Sequence, residues 1–274
     1  MTDGVAPGSL RHFSVLFSGS MEKPLMAAVY ALEAELRRIV AATSHEAAHA
    51  KLQWWRGEVD RLAAGRPSHP LAHALLPLRG RRDVDLTLLH ELLVAADLDL
   101  ARMTYATWQE LDAYLFRSAG IAQTLIAALL AGERGQAPAE REFARRLGAA
   151  LRQSEMLFDL DRDLARGRLY APTAALEAAG VDPEAFARNR RTATASGFIA
   201  GWQERVLREL QSLPAILADP ALRGAQRHGL VLAALHARWL DALSAASMPA
   251  GGPRPELGPL TRLWTAWRTA LRHG

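Results

Sequence analysis

The feature that most constrains this chain is its periodicity. Apolar residues recur every three or four positions along nearly the whole length, in segments rich in Ala, Leu, Arg and Glu. The strict alternation of β-branched residues that marks strands is almost absent. The pattern predicts an all-α fold. Helix-stop residues divide it. Pro24 opens a helix that runs to about Ala42, Thr43 and Ser44 end it, and Ser44 caps a second helix over His45–Ala64. Gly65, Pro67 and Pro70 break that one, a short helix follows over His69–Leu76, and another spans Asp85–Ala101. Thr107 and Glu110 have the spacing of a capping box and open a long helix that Gly132 and Gly135 end. A further long helix covers Ala139–Ala165, ended by Gly167. Asp182 and Pro183 start a stretch to Leu217, bent near Gly197 and Gly201, and Leu222–Ala246 follows. The segment MPAGGPRPELGP reads as a flexible connector to a terminal helix, Leu260–Arg272, with Trp264 and Trp267 on one apolar side.

Short links and the lack of any composition break argue for one domain. The expected division is an N-terminal segment over 1–23, a helical domain over 24–246, and a linker with a packed C-terminal helix over 247–274. With 274 residues, half of them apolar, the chain can bury a substantial core. It has no cysteine, which excludes disulfides, thiolate catalysis and Cys-based zinc sites and suits a reducing compartment. The net charge is only +4, and acids alternate with arginines instead of leaving a basic face, so no nucleic-acid partner is expected. The start, MTDGVAPGSLRHFSVLF, lacks the apolar core of a signal peptide, and apolar runs such as Ala127–Ala131 are too short to span a bilayer. A cytoplasmic location is expected. Arginine-rich helices carrying Trp keep peripheral membrane contact open.

Two patterns carry chemistry. In LFDLDRDLARGRLYAP, Asp159 and Asp163 lie one helical turn apart, and Glu155 lies a turn earlier on the same stripe. Mg²⁺, which favours oxygen ligands, would relieve their repulsion, with Arg166 and Arg168 clamping phosphate oxygens. A salt-bridged helix end does the same work: Arg162 follows Asp159 by three residues and Arg166 follows Asp163 by three. On pattern alone the salt-bridged reading ranks ahead. The second pattern is His45-Glu46-Ala47-Ala48-His49, two imidazoles on one helix face beside a glutamate, the layout of a zinc hydrolase. Leu52 and Trp55 stand where a further glycine and histidine would continue it, so a third ligand is missing. The competing reading is polar residues on the exposed first turns of an amphipathic helix. Trp54 and Trp55 point in different directions, so at most one enters the core.

The stretches LQWWRGEVDRLAAGRPSHPLAHAL, LDAYLFRSAG and LFDLDRDLARGRLYAP, in that order and spacing, resemble the squalene/phytoene synthase family of head-to-head trans-isoprenyl diphosphate synthases. The resemblance runs from about Phe13 to Ala246. It implies an isoprenoid-synthase-like helical bundle around a deep central cavity, where two aspartate-rich helices hold Mg²⁺ against prenyl diphosphates. The implied reaction joins two such substrates through a cyclopropyl intermediate. By the same resemblance Asp159 and Asp163 are metal ligands, and Arg166, Arg168, Tyr170, Tyr114 and Arg37 border the diphosphate and cavity. Gly167-Arg168 and Tyr170-x-Pro172 match the family pattern, as do Tyr114, Ala119 and Gly120.

The departures are as informative. Glu155 stands where the family has Asn, and Phe158 where it has Arg. The first aspartate motif falls on Arg37, Arg38 and Ala41, so its acids are gone and two are replaced by cations. An arginine there repels Mg²⁺. It would pair with Asp159 or Asp163, bind a diphosphate directly without metal, or form an i,i+4 surface pair with Glu33. In its missing first motif the chain resembles the complex I assembly-factor relatives of mitochondria. Three functions follow, in order: a non-catalytic relative that binds an isoprenoid or other lipid or serves as an assembly factor for a protein partner; an active prenyl-diphosphate transferase with a remodelled Mg²⁺ site; and a zinc hydrolase through His45, Glu46 and His49.

Overall fold

Helices begin where a side chain can take up the unpaired N–H groups of a first turn. Ser44 accepts from the Ala47 amide at 3.2 Å, Thr107 from Glu110 at 3.2 Å and Asp182 from Ala185 at 2.7 Å. Each such cap stabilises its helix by about 1 kcal/mol. The structure is a computed structural model, and it describes residues 3–42, 44–190, 192–245 and 256–273. Among the described residues all regular structure is helical: α1 (Leu10–Val15), α2 (Lys23–Val40), α3 (His45–Ala63), α4 (Pro70–Leu75), α5 (Leu89–Leu100), α6 (Trp108–Leu115), α7 (Ile121–Ala131), α8 (Pro138–Ala165), α9 (Thr173–Ala178), α10 (Pro183–Arg188), α11 (Ala193–Ile216), α12 (Pro220–Ala225), α13 (Arg227–Ala245) and α14 (Pro259–Arg272). A π-turn over Phe116–Gly120 joins α6 to α7.

The bundle has two large apolar cores and a small cluster beneath α14. One lies among α2, α3, α4, α5 and α7, around Met26, Leu32, Leu52, Leu89 and Ile126; the other lies among α6, α8, α11 and α13, around Leu111, Phe143, Leu157, Trp202 and Leu232. Gly148 brings α8 hard against the π-turn: a Cβ there would sit 2.5 Å from the Gly120 Cα and 2.7 Å from the Ala119 carbonyl oxygen. Only a hydrogen at that position allows the two backbones to touch.

Three sequence expectations change, and a fourth falls outside the described residues. The segment before residue 24 carries α1, whose Arg11 enters the molecular centre. The stretch after Pro183 is two helices, not one bent at glycine; Thr192 caps α11 by accepting from Ala195 at 3.2 Å, and Gly197 and Gly201 lie inside α11. One stretch, Trp108–Arg134, is long and apolar enough to cross a bilayer, but it runs through the protein with its Leu111, Leu115, Ile121, Leu125 and Ile126 buried among other helices. A core helix in an all-α bundle is apolar on most sides for that reason. The expected connector lies mostly at 246–255, outside the described residues, as does Thr43. Trp55 is buried, while Trp54 keeps 46 % of its surface exposed.

Candidate functional site

The C-terminal end of α8 is closed by two backbone hydrogen bonds, Gly167 N to Leu164 O at 2.9 Å and Arg168 N to Asp163 O at 2.8 Å. Gly167 takes φ +74°, the left-handed conformation that this double closure requires. The reversal turns Arg168 toward α2, where its Nη2 donates to the Val40 carbonyl at 3.1 Å, a cation on the negative end of that helix. It also buries Tyr170 in the core.

Between α2 and α8 the centre of the molecule is filled by an ion-pair and phenol network. Arg37 pairs with Glu33 one turn back on α2 and reaches across to Glu155 on α8, Nη2 to Oε2 at 2.8 Å. Arg11 pairs with Glu33 at 2.8 Å and approaches Glu155 at 3.6 Å, and Arg152 lies 3.6 Å from the same carboxylate. Asp99 accepts from the Tyr114 hydroxyl at 2.8 Å and from the Tyr170 hydroxyl at 2.7 Å. Arg152 donates to the two phenol oxygens at 3.0 and 3.2 Å. The residual void lined by Glu33, Arg37, Asp99, Tyr114 and Arg152 is about 20 Å³, room for on the order of one water. Around this network side chains fill most of the space between α2, α5 and α8.

Burial alone would raise the Glu155 carboxyl. The guanidinium groups of Arg37, Arg11 and Arg152 outweigh it and hold the pKa down at about 2. At Asp163 the balance goes the other way: burial raises its pKa and Asp159 adds to the rise, outweighing Arg152, Arg162 and Arg168. Behind the network Tyr30 is fully buried, its hydroxyl 2.7 Å from His228 Nε2 and accepting from Gln123 at 3.1 Å, and the Arg11 guanidinium lies 4.2 Å from its ring centroid. Burial lowers the pKa values of His228 and His236 to about 4.

The seven residues proposed for diphosphate and cavity divide into two groups. Tyr114, Tyr170 and Arg37 meet in the central network. Asp159, Asp163, Arg166 and Arg168 lie toward the end of α8, where Asp159 pairs with Arg162, and Asp163 has Arg162 Nε at 4.0 Å. Arg37 pairs with neither aspartate; it takes Glu155, the residue a turn earlier. Its pair with Glu33 exists but is not a surface pair, since Glu33 is buried.

Mg²⁺ does not fit this donor set. Arg37, Arg38 and Ala41 present guanidinium groups and a methyl, Asp159 is engaged by Arg162, and no group of three or more His, Cys, Asp or Glu able to hold a metal occurs among the described residues. The same holds for zinc: His45, Glu46 and His49 are exposed on the first turns of α3, with no third ligand among the described residues. Arg11, Arg37, Arg38, Arg162 and Arg166 line an open cleft of about 450 Å³; the first four also pair with carboxylates, Glu33, Glu155, Glu35 and Asp159 in that order.

Sequence reading missed Arg11, Asp99, Arg152 and the two buried histidines. Arg152 had a local signal, since it precedes Glu155 by three residues on the stripe that carries Asp159. Arg11 had none: it comes from a segment with no periodic pattern of its own. Phe158, where the family has Arg, is buried and stacks on Trp239.

Comparison with known proteins bears on this geometry. A profile of the squalene/phytoene synthase family matches residues 13–261, so the chain belongs to that family. It is 30 % identical over 135 residues to a 15-cis-phytoene synthase of Synechocystis sp., covering 46 % of this chain and 40 % of that protein. It is 28 % identical over 219 residues to the bifunctional protein CrtB/UppS of Streptomyces coelicolor, covering 75 % of this chain and 38 % of that protein. The matches thus span about two fifths of these relatives' length. Among solved structures, a dehydrosqualene synthase in complex with ligand superposes with a TM-score of 0.74 at 14 % identity, over 96 % of this chain and 95 % of that one. The squalene synthase HpnC from Alicyclobacillus acidocaldarius gives 0.57 at 23 % identity, over 84 % and 88 %. These likenesses establish the all-α isoprenoid synthase fold.

Proposed function

We propose that this chain is a non-catalytic member of the squalene/phytoene synthase family that binds a prenyl diphosphate, or another phosphorylated lipid, through arginine instead of metal. The observation that carries the reading is the Arg37–Glu155 bridge from α2 to α8. It places a guanidinium where the family pattern calls for an aspartate, and it neutralises the nearest carboxylate on the facing helix. An Mg²⁺–diphosphate cluster needs carboxylates from both helices to balance its charge. The cleft of Arg11, Arg37, Arg38, Arg162 and Arg166 offers a diphosphate the charge-assisted hydrogen bonds that a metal would otherwise supply. A role as an assembly factor for a protein partner, as in the relatives it resembles, uses the same retained scaffold without turnover.

The test is incubation of the purified protein with Mg²⁺ and farnesyl or geranylgeranyl diphosphate, with diphosphate release measured beside calorimetric binding in EDTA. We expect no release, and metal-independent binding that weakens about tenfold or more in the Arg38→Ala/Arg166→Ala variant. Release that disappears in Asp159→Ala would overturn the reading in favour of an active transferase with a remodelled Mg²⁺ site.

A further inference from the structure

The family match ends at residue 261, so most of α14 lies beyond it. The helix rests on α13 and α1 along a narrow face: Ala266 and Ala270 are buried against Val231 and Leu235, with Phe13 and Phe17 packed around them. Arg262 pins its first turn, donating to the Gly8 carbonyl and lying 3.6 Å from Glu256. A helix held by two alanines would be expected to turn polar residues outward. This one exposes Leu260 at 80 %, Leu263 at 45 %, Trp264 at 58 %, Trp267 at 44 % and Leu271 at 63 %.

At 100° per residue these five positions fall within one stripe about a third of the helix circumference wide. The stripe amounts to an apolar patch on the order of 500 Å², the size that marks an interaction site on a folded protein. Arg268 and Arg272 follow it along one edge, both exposed, and α14 contains no acidic residue. Leu16 and Met21, just past the end of α1, are also exposed.

That arrangement selects its occupant. A second copy laid stripe to stripe would bring these cationic edges together with no acid on either helix to answer them. An anionic bilayer answers both parts at once: leucines and indoles enter the boundary of the acyl region, where Trp is favoured, and the guanidinium groups stay among the phosphates. We propose that α14 docks this protein on an anionic membrane surface, with Leu260, Leu263, Trp264, Trp267 and Leu271 inserted and Arg268 and Arg272 at the headgroups. The proposal does not depend on the reading of the central cleft.

The experiment is co-sedimentation of the full chain with phosphatidylcholine vesicles, with and without phosphatidylglycerol, alongside tryptophan fluorescence. Expected results are binding to the phosphatidylglycerol vesicles, a blue-shifted emission, and weakening by salt. Trp264→Ser/Trp267→Ser should cut binding at least tenfold, while Trp264→Phe/Trp267→Phe retains most of it. Arg268→Gln/Arg272→Gln should lose about fivefold per arginine on anionic vesicles only. The altered side chains are exposed, so thermal melts should stay within a few degrees of the parent and separate lost docking from lost folding. Failure to bind anionic vesicles overturns the proposal, as does binding that survives the double serine variant. A dimer in lipid-free solution that the same variant dissolves would assign the stripe to a second copy instead.

Discussion

Glu155 is the point at which the network can be measured. Its carboxylate faces Arg37 at 2.8 Å and Arg11 and Arg152 at 3.6 Å, with 17 % of its side chain exposed. The perturbation is Glu155→Gln, which keeps the shape and one carbonyl acceptor and removes the charge. A fall in pKa from 4.5 to about 2 corresponds to about 3 kcal/mol in favour of the charged form in the folded state. Removing one partner of a buried pair costs a similar 3–5 kcal/mol in general. Glu155→Gln should therefore lower unfolding free energy at pH 7 by about 3 kcal/mol, measured by urea titration. The pH dependence checks the cause. A carboxyl depressed in the folded state contributes its stability above the unfolded value near 4.5 and loses it as pH falls toward about 2, because the unfolded chain takes up the proton first. Wild type should lose stability through that window, and the variant should lack that component, so the two converge in acid. A variant within about 1 kcal/mol of wild type at pH 7, or one with an unchanged acid limb, would refute the claim that the three arginines hold the Glu155 carboxyl down.

Two further predictions rest on other parts of the fold. His228 and His236, lowered by burial to about 4, hold stability that is complete above the unfolded value near 6.5 and declines as pH falls from there toward 4; urea midpoints should drop across that window, and less so in His236→Gln. The glycines of α8 and α11 should respond oppositely. Gly148→Ala forces α8 away from Gly120 and should cost about 1–3 kcal/mol, while Gly197→Ala, with nothing within 4 Å of its added methyl, should stabilise by about 0.5–1 kcal/mol in thermal melts.

Helix ends were legible because caps are local. Ser44, Thr107 and Asp182 each satisfy an amide three residues away, and no distant contact is needed to recognise them. The break before α11 was misplaced because glycine is a weak helix breaker, whereas Thr192 supplies a positive start signal. The site was half legible. The pairing of Asp159 with Arg162 follows from three-residue spacing on one helix. The expected Arg166–Asp163 pair does not form, because α8 ends at that turn and Arg166 opens toward the cleft.

The amino-acid sequence by itself determined an all-α chain, its principal helix ends, and the identity of Arg37, Arg38 and Ala41 as residues that are not acids, since periodicity, capping and residue identity are properties of short stretches. The tertiary structure alone decided which charges meet. Arg37 could have reached any of three carboxylates one turn apart on α8, and the packing brings Glu155 within its reach. Arg11 joins them from an element with no signal of its own, carried there by the packing of α1. The same packing leaves the Trp264 stripe outward, because a helix seated on two alanines has only one face narrow enough to approach its neighbours.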